Sequence, residues 1–170
     1  LFIAFREQVI TRRTKFLLNK ARDRAHILVG LAIAVANIDE IIRVIRTSPD
    51  PNTARDTLMS RDWPAQDVAA MMTLIDDPRH RMAPDGTARL SLEQAKAILD
   101  LRLQRLTALG REEIAEELDK LAVEIADYLD ILRSRARVQA IVKAELAEVK
   151  DKFATPRKTV IIEQEGEGED

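Results

Sequence analysis

Proline stands at positions 49, 51, 64, 78 and 84 and then not again until 156. A proline inside a helix removes a hydrogen-bond donor and clashes with the preceding turn. The proline-free stretches 1–48 and 85–155 therefore have room for long helices, with a broken middle between them. The composition agrees, since 33% of residues are charged and only 4% aromatic, the profile of a helical chain. The 170 residues suffice for one domain, or for an elongated body with a small globule. There is no cysteine, which excludes a disulfide framework and a thiolate metal site and fits a reducing compartment. No apolar run approaches the ~20 residues of a membrane span, and nothing resembles a signal peptide. Leu1 already lies within a helical pattern, so the chain reads as a piece of a longer protein. The net charge of −2 decides nothing about nucleic acid, because local charge matters more.

The first stretch carries Phe2, Phe5, Val9, Phe16, Leu17, Leu28, Leu31 and Val35 as its expected apolar stripe, interrupted at Arg12 and Arg13. Asn37 with Glu40 three residues on has the form of a capping box, which predicts that one helix stops and another starts there. Ile38, Ile41, Ile42 and Ile45 give that next helix a dense apolar face. Asp50–Pro51 reads as a cap with proline in the first turn. A further helix is expected over 65–75, followed by a polar loop over 76–89.

Ser91 with Gln94 forms a second capping-box pattern and opens a helix expected to run to 109. Within it Leu99, Leu101 and Leu103 alternate with Asp100, Arg102 and Gln104 like a strand, but the Ala- and Leu-rich surroundings favour helix. On a helical wheel this segment has two apolar faces. Leu92, Ala95, Ile98, Leu99, Leu103, Leu106 and Leu109 form the broad face, with Arg102 among them; Ala97, Leu101 and Ala108 form the narrow one. Either the helix is buried on two sides of its own globule, or one face meets a second copy of the chain. A thin globule has few elements to cover both faces, which favours dimerisation. The dimer-contact candidates are Ala97, Leu101, Ala108, Ile98, Leu99, Arg102 and Arg105.

After Gly110, residues Ile114, Leu118, Leu121, Ile125, Tyr128 and Leu132 step by 4, 3, 4, 3 and 4, the spacing of a coiled-coil seam. The seam falters at Arg133, Ser134, Arg135, Ala136 and Arg137 and resumes with Val138, Ile141 or Val142, Leu146, Val149 and Phe153. These five residues are either a harmless stutter or a hinge, and the hinge is favoured where a rod must bend without unfolding. Helices over 1–36 and 111–154 would be about 50 and 65 Å long. The expected architecture is all-α: a long antiparallel two-helix coiled coil, with arms 1–36 and 111–154, carrying a helical globule of residues 37–110 at its tip. Residues 155–170 are expected to be an extended segment, with "KTVII" β-prone, and an acidic linker.

Arg12, Arg13, Lys15 and Lys20 belong to a locally basic first arm. Such charges are ordinarily a solvated face; the functional alternative is a wall facing duplex DNA through sequence-blind electrostatics. His26 and His80 are distant in sequence, with no companion ligand at metal spacing, so His26 is expected on a helix surface or seam. Glu112, Glu113, Glu116 and Glu117 read as helix charge pairing, with Lys120 four residues beyond Glu116. No Gly-rich phosphate loop is present.

"TRRTKFLLNKARDRAHILVGLAIAVANIDEIIRVIR" (11–46) and "LSLEQAKAILDLRLQRLTALGREEI" (90–114) closely resemble the family of DNA gyrase A subunits, within the type IIA DNA topoisomerases. The resemblance extends to about residue 158. The A subunit of topoisomerase IV is similar over 11–46, but it usually has a shorter stretch at 47–90. The resemblance implies the coiled-coil arm and exit-gate (C-gate) dimer globule, which opens to release a transported DNA duplex during ATP-dependent negative supercoiling. It implies no catalytic residue, cofactor-binding residue or metal ligand within this segment, because the catalytic tyrosine and metal-binding acids of the family lie elsewhere. It further implies a cytoplasmic homodimer that partners the gyrase B subunit in an A2B2 assembly, with ATP and Mg2+ used by other parts of that assembly. The rival reading is a monomeric helical spacer between flanking domains.

Overall fold

The computed structural model describes residues 1–159, with side chains through Lys152. The described chain is helical apart from one short strand pair. In order come α1 (Phe2–Ala36), α2 (Ile38–Thr47), α3 (Pro51–Ser60), β1 (Trp63–Pro64), a 3-10 turn (Gln66–Val68), α4 (Ala69–Leu74), β2 (Thr87–Ala88), α5 (Leu92–Asp100), α6 (Leu103–Ala108), α7 (Arg111–Arg133) and α8 (Arg135–Thr159). These form two compact units whose limits fall inside α1 and α7: residues 1–17 with the chain from 127 on, and residues 18–126.

The smaller unit is built on Ile10, which is fully buried with Ile131, Val138 and Val142. Charge pairs flank that core. Arg6 and Arg13 both donate to Glu145, at 2.9 and 3.0 Å, and Glu7 accepts from Arg135 and Gln139. Phe2, Phe5 and Phe16, expected in the apolar stripe, are exposed. Leu28 and Leu31 of that stripe are buried, and the buried positions before them are Ile10, Thr14, Leu18, Ala21, Ala25 and His26. Small residues permit close approach of a neighbouring helix, whereas a phenylalanine would hold it off. Thr14 is tolerated there because its hydroxyl donates to the Ile10 carbonyl at 2.8 Å.

The larger unit is centred on the end of α1. Residues 28–34 are all buried, so this stretch is enclosed on every side, as an all-apolar helix must be. It is therefore α1, and not the 91–109 segment, that occupies the middle of the globule. α3 packs on both α2 and α5. Arg24 on α1 pairs with Glu117 on α7 at 2.8 Å, and Ile114, Leu118 and Leu121 of α7 are buried as their spacing predicts.

Local signals set the helix starts, with one difference of mechanism. The Asp50 carboxylate accepts the Thr53 amide at 2.7 Å, with Pro51 at the first helical position of α3. Asp50→Ala is expected to lower stability by removing this cap, read as a lower urea midpoint. Ser91 and Gln94 exchange both bonds of a capping box. Asn37 does mark the α1–α2 junction, but no side-chain cap forms. Its amide donates to the carbonyls of Ile33 and Pro64, while Glu40 is taken by Arg43 and Arg61, which hold its carboxyl down at about 2.

The polar loop ends in a turn that local spacing does not foretell. Gly86 donates to the Ala83 carbonyl at 2.9 Å and has φ +83°, a conformation that L side chains rarely adopt. The turn returns the chain so that Trp63 pairs with Ala88 and Pro64 with Thr87, antiparallel. At the far end α8 continues through Pro156 to Thr159, where extended chain is expected from 155. A proline costs a helix one internal hydrogen bond, and the other turns of this 25-residue helix carry the chain past it. The remainder of "KTVII" and the acidic tail, from 160, lie outside the described residues, as does the side chain of Phe153.

Candidate functional site

The segment expected to be one two-faced helix over 91–109 is two helices. α5 ends at Asp100, Leu101 and Arg102 are extended with ψ of 141° and 147°, and α6 begins at Leu103. The strand-like alternation of Leu99, Leu101 and Leu103 with Asp100, Arg102 and Gln104 therefore brackets a real extended step, and the narrow face of Ala97, Leu101 and Ala108 does not exist as one helical face. Two non-helical residues displace everything after them around the axis.

The dimer-contact candidates consequently part company. Ile98 is fully buried in the core of its own unit, together with Ala95 and Leu106, so it is no part of a free surface. Ala97, Leu99, Leu101 and Leu103 are half-buried, and Arg102, Arg105 and Ala108 are exposed. What remains is a step in the chain where leucines reach the surface beside two arginines. Arg102, expected among the apolar residues, has direct access to water.

The basic residues of α1 divide in the same way. Arg12, Arg13, Lys15 and Lys20 are all exposed. Arg13, however, shares Glu145 with Arg6, and both guanidiniums hold that carboxyl below its ordinary range, Arg13 foremost. Exposed pairs of this kind contribute at most ~1 kcal/mol each, but they do cancel charge, as Arg24 is cancelled by Glu117.

The faltering seam coincides with a break in the helix. Ser134 is the single non-helical residue between α7 and α8, and its hydroxyl accepts the Arg137 amide at 3.2 Å, capping α8. Arg137 then donates across the break to Asp127 and Asp130 of α7, both at 2.8 Å. Arg133, Arg135 and Ala136 are exposed. Ile131 is buried where Leu132 is expected, and Val138 and Val142 follow, so the departure from the expected spacing lies within α7, before Ser134.

One cluster in the larger unit has no counterpart in the sequence pattern. His26, expected on a helix surface or seam, is fully buried. Its ring meets that of His80 end-on through the two Nδ1 atoms, with centroids 5.2 Å apart and the planes 9° from parallel. The two Nδ1 atoms lie 2.9 Å apart, His26 Nε2 is 2.7 Å from the Ser91 hydroxyl, and His80 Nε2 is 2.7 Å from the Ile75 carbonyl. Gln94 is also fully buried and donates to the His26 carbonyl at 2.7 Å. Asp77 completes a set of three residues whose ligand atoms fall within 4.8 Å. Its carboxylate is fully engaged by Arg79, which reaches on to Asp23. Burial would raise the Asp77 carboxyl, but Arg79 overrides it and holds the group at about 2. A guanidinium already neutralising the one carboxylate disfavours a second cation, so the geometry is that of a hydrogen-bonded knot. Contacts spanning 54 and 65 residues leave no mark on local spacing; only the Ser91–Gln94 capping pattern touches the cluster.

Among the described residues no helix is long and apolar enough to cross a membrane. Residues 1–147 match the family model that describes the A subunits of DNA gyrase and topoisomerase IV. The chain is 53% identical over 160 residues to a DNA gyrase A subunit from Rickettsia bellii, covering 94% of this chain and 18% of that protein. It is 54% identical over 160 residues to the one from Granulibacter bethesdensis, covering 94% and 17%. It is 39% identical over 170 residues to the one from Pseudomonas aeruginosa, covering 95% and 18%. The chain thus spans less than a fifth of the length of these relatives.

Proposed function

Since the chain belongs to the family formed by the A subunits of DNA gyrase and topoisomerase IV, we propose that it is the exit-gate segment of the gyrase member. In this reading it contributes the coiled-coil arm and the dimer contact that part to release a transported duplex, and it supplies no catalytic residue. Breakage of DNA, ATP hydrolysis and Mg2+ binding belong to other parts of an A2B2 assembly with the gyrase B subunit, working in the cytoplasm. The relatives named as DNA gyrase match nearly the whole chain, which favours gyrase over topoisomerase IV.

The observation that carries the gate reading is the step at Leu101–Arg102. Half-buried leucines at 99, 101 and 103 bracket an extended backbone, and a two-fold contact needs only one such self-complementary patch. Ala97, Ala108, Arg102 and Arg105 would rim it. The break at Ser134 supports a bend point, because one non-helical residue in a long helix concentrates flexure there. Exposed Arg12, Lys15 and Lys20 suit weak contact with passing DNA, which must let go.

The test is molar mass by light scattering across a concentration series. A stable dimer is expected, and Leu101→Asp is expected to yield monomers with undiminished helical circular dichroism. A monomer at every concentration, with or without the substitution, would exclude self-association of this segment and favour a helical spacer.

A further inference from the structure

The Gln94 side-chain nitrogen lies 3.3 Å from His26 Nδ1, but only one neutral arrangement of protons makes the shorter contact between the two Nδ1 atoms a hydrogen bond. A carbonyl oxygen only accepts, so His80 Nε2 carries the proton that bonds Ile75. Neutral His80 therefore has a bare Nδ1, and His26 Nδ1 must donate to it across 2.9 Å. That leaves His26 Nε2 bare, accepting from the Ser91 hydroxyl at 2.7 Å. The same hydroxyl caps Gln94 at 3.2 Å, and the Gln94 side chain returns to the Ser91 amide and the His26 carbonyl. The chain of bonds thus runs from the start of α5, through α1, to the residues following α4.

We propose that the end-on His26–His80 pair is an acid-sensitive latch, closed when both rings are neutral, that fastens the N-terminus of α5 to α1. Two protonated rings cannot share the Nδ1–Nδ1 bond, because both nitrogens then carry hydrogen. A single added proton places a cation in a closed site beside a guanidinium. The charged groups facing the pair are Asp23 and Arg79, which are themselves paired, Asp77 on the same loop as His80, and Glu93 in the first turn of α5. Burial foremost, then Arg79 and His80, push His26 down to about 4, against the pull of Asp77 and Glu93.

A base whose pKa is lower folded than unfolded binds fewer protons in the folded state. Stability from His26 is therefore complete above its ordinary value of about 6.5 and declines as pH falls toward 4. The latch engages two helices of one unit, so the effect is expected to concentrate at α5.

The test is nuclear magnetic resonance on the full chain. Side-chain nitrogen spectra at pH 7.5 are expected to show His26 protonated on Nδ1 and His80 on Nε2. Corrected for intrinsic rates, protection of the Gln94 amide from hydrogen exchange is expected to fall by roughly 10- to 30-fold between pH 7 and 5. The Val142 amide, in the other unit, serves as the reference that stays constant. In His80→Gln, which keeps a donor for Ile75 but cannot titrate, the pH dependence at Gln94 is expected to be smaller. Both rings in the Nε2–H form, His26 titrating near 6.5, or equal pH response at Gln94 and Val142 would each overturn the latch. The tautomer result stands on the unsubstituted chain, so it decides the matter even where the variant fails to fold.

Discussion

Gly30→Ala is expected to destabilise the larger unit by about 3 kcal/mol, at the upper end of the range for overpacking a core. The direction is the reverse of the usual one, since alanine is favoured over glycine in a helix by about 1 kcal/mol. A β-carbon at Gly30 would stand 2.6 Å from Gln94 Cγ and 2.7 Å from Gln94 Cβ. Those atoms do not yield easily. Gln94 is fully buried, its amide caps α5 through Ser91, and its side chain holds both the Ser91 amide and the His26 carbonyl. Making room at Gly30 thus breaks buried hydrogen bonds as well as packing. Urea denaturation followed by circular dichroism reads the loss directly. A variant as stable as the parent chain would mean that α1 and α5 are not packed this closely.

Trp63→Ala is expected to cost about 3–5 kcal/mol. Trp63 is only 2% exposed, and its indole nitrogen donates to the Leu58 carbonyl at 2.9 Å. The Arg61 guanidinium covers its ring at 4.9 Å and pairs with Glu40 of α2. The truncation empties a large volume and leaves a carbonyl without its donor. Trp63→Phe separates the two effects, because it keeps most of the volume and loses the hydrogen bond; a loss of about 1–2 kcal/mol is expected. The measurement is the midpoint of thermal unfolding. Near-equal midpoints for Trp63→Ala and the parent chain would place the indole outside the core.

Both positions bear on what the amino-acid order discloses. Helix starts governed by neighbours three residues apart are legible: Asp50 with Pro51, and Ser91 with Gln94, act through the very bonds that their spacing suggests. Asn37 is legible as a boundary and not as a mechanism. Its amide finds the Pro64 carbonyl 27 residues away, a partner that only the fold supplies. The α1 stripe is misplaced when read from its phenylalanines, because the small size of Ala21 and Ala25 is what suits a helix contact. The alternation of Leu99, Leu101 and Leu103 with polar residues is literally legible, but helix propensity summed over the window conceals a two-residue step. Gly30 and the histidine pair are not legible at all, since what defines them is a second segment more than 50 residues away.

Arg137 has a consequence beyond capping geometry. Besides the backbone and capping hydrogen bonds, the break at Ser134 is splinted by charge, Arg137 holding Asp127 and Asp130 at 2.8 Å while all three side chains remain well exposed. Attraction between exposed charges fades as the screening length shrinks from ~10 Å at 0.1 M to ~3 Å at 1 M. The charge splint's share of the bending stiffness at this point is therefore expected to depend on the ionic medium, larger in dilute buffer than in brine.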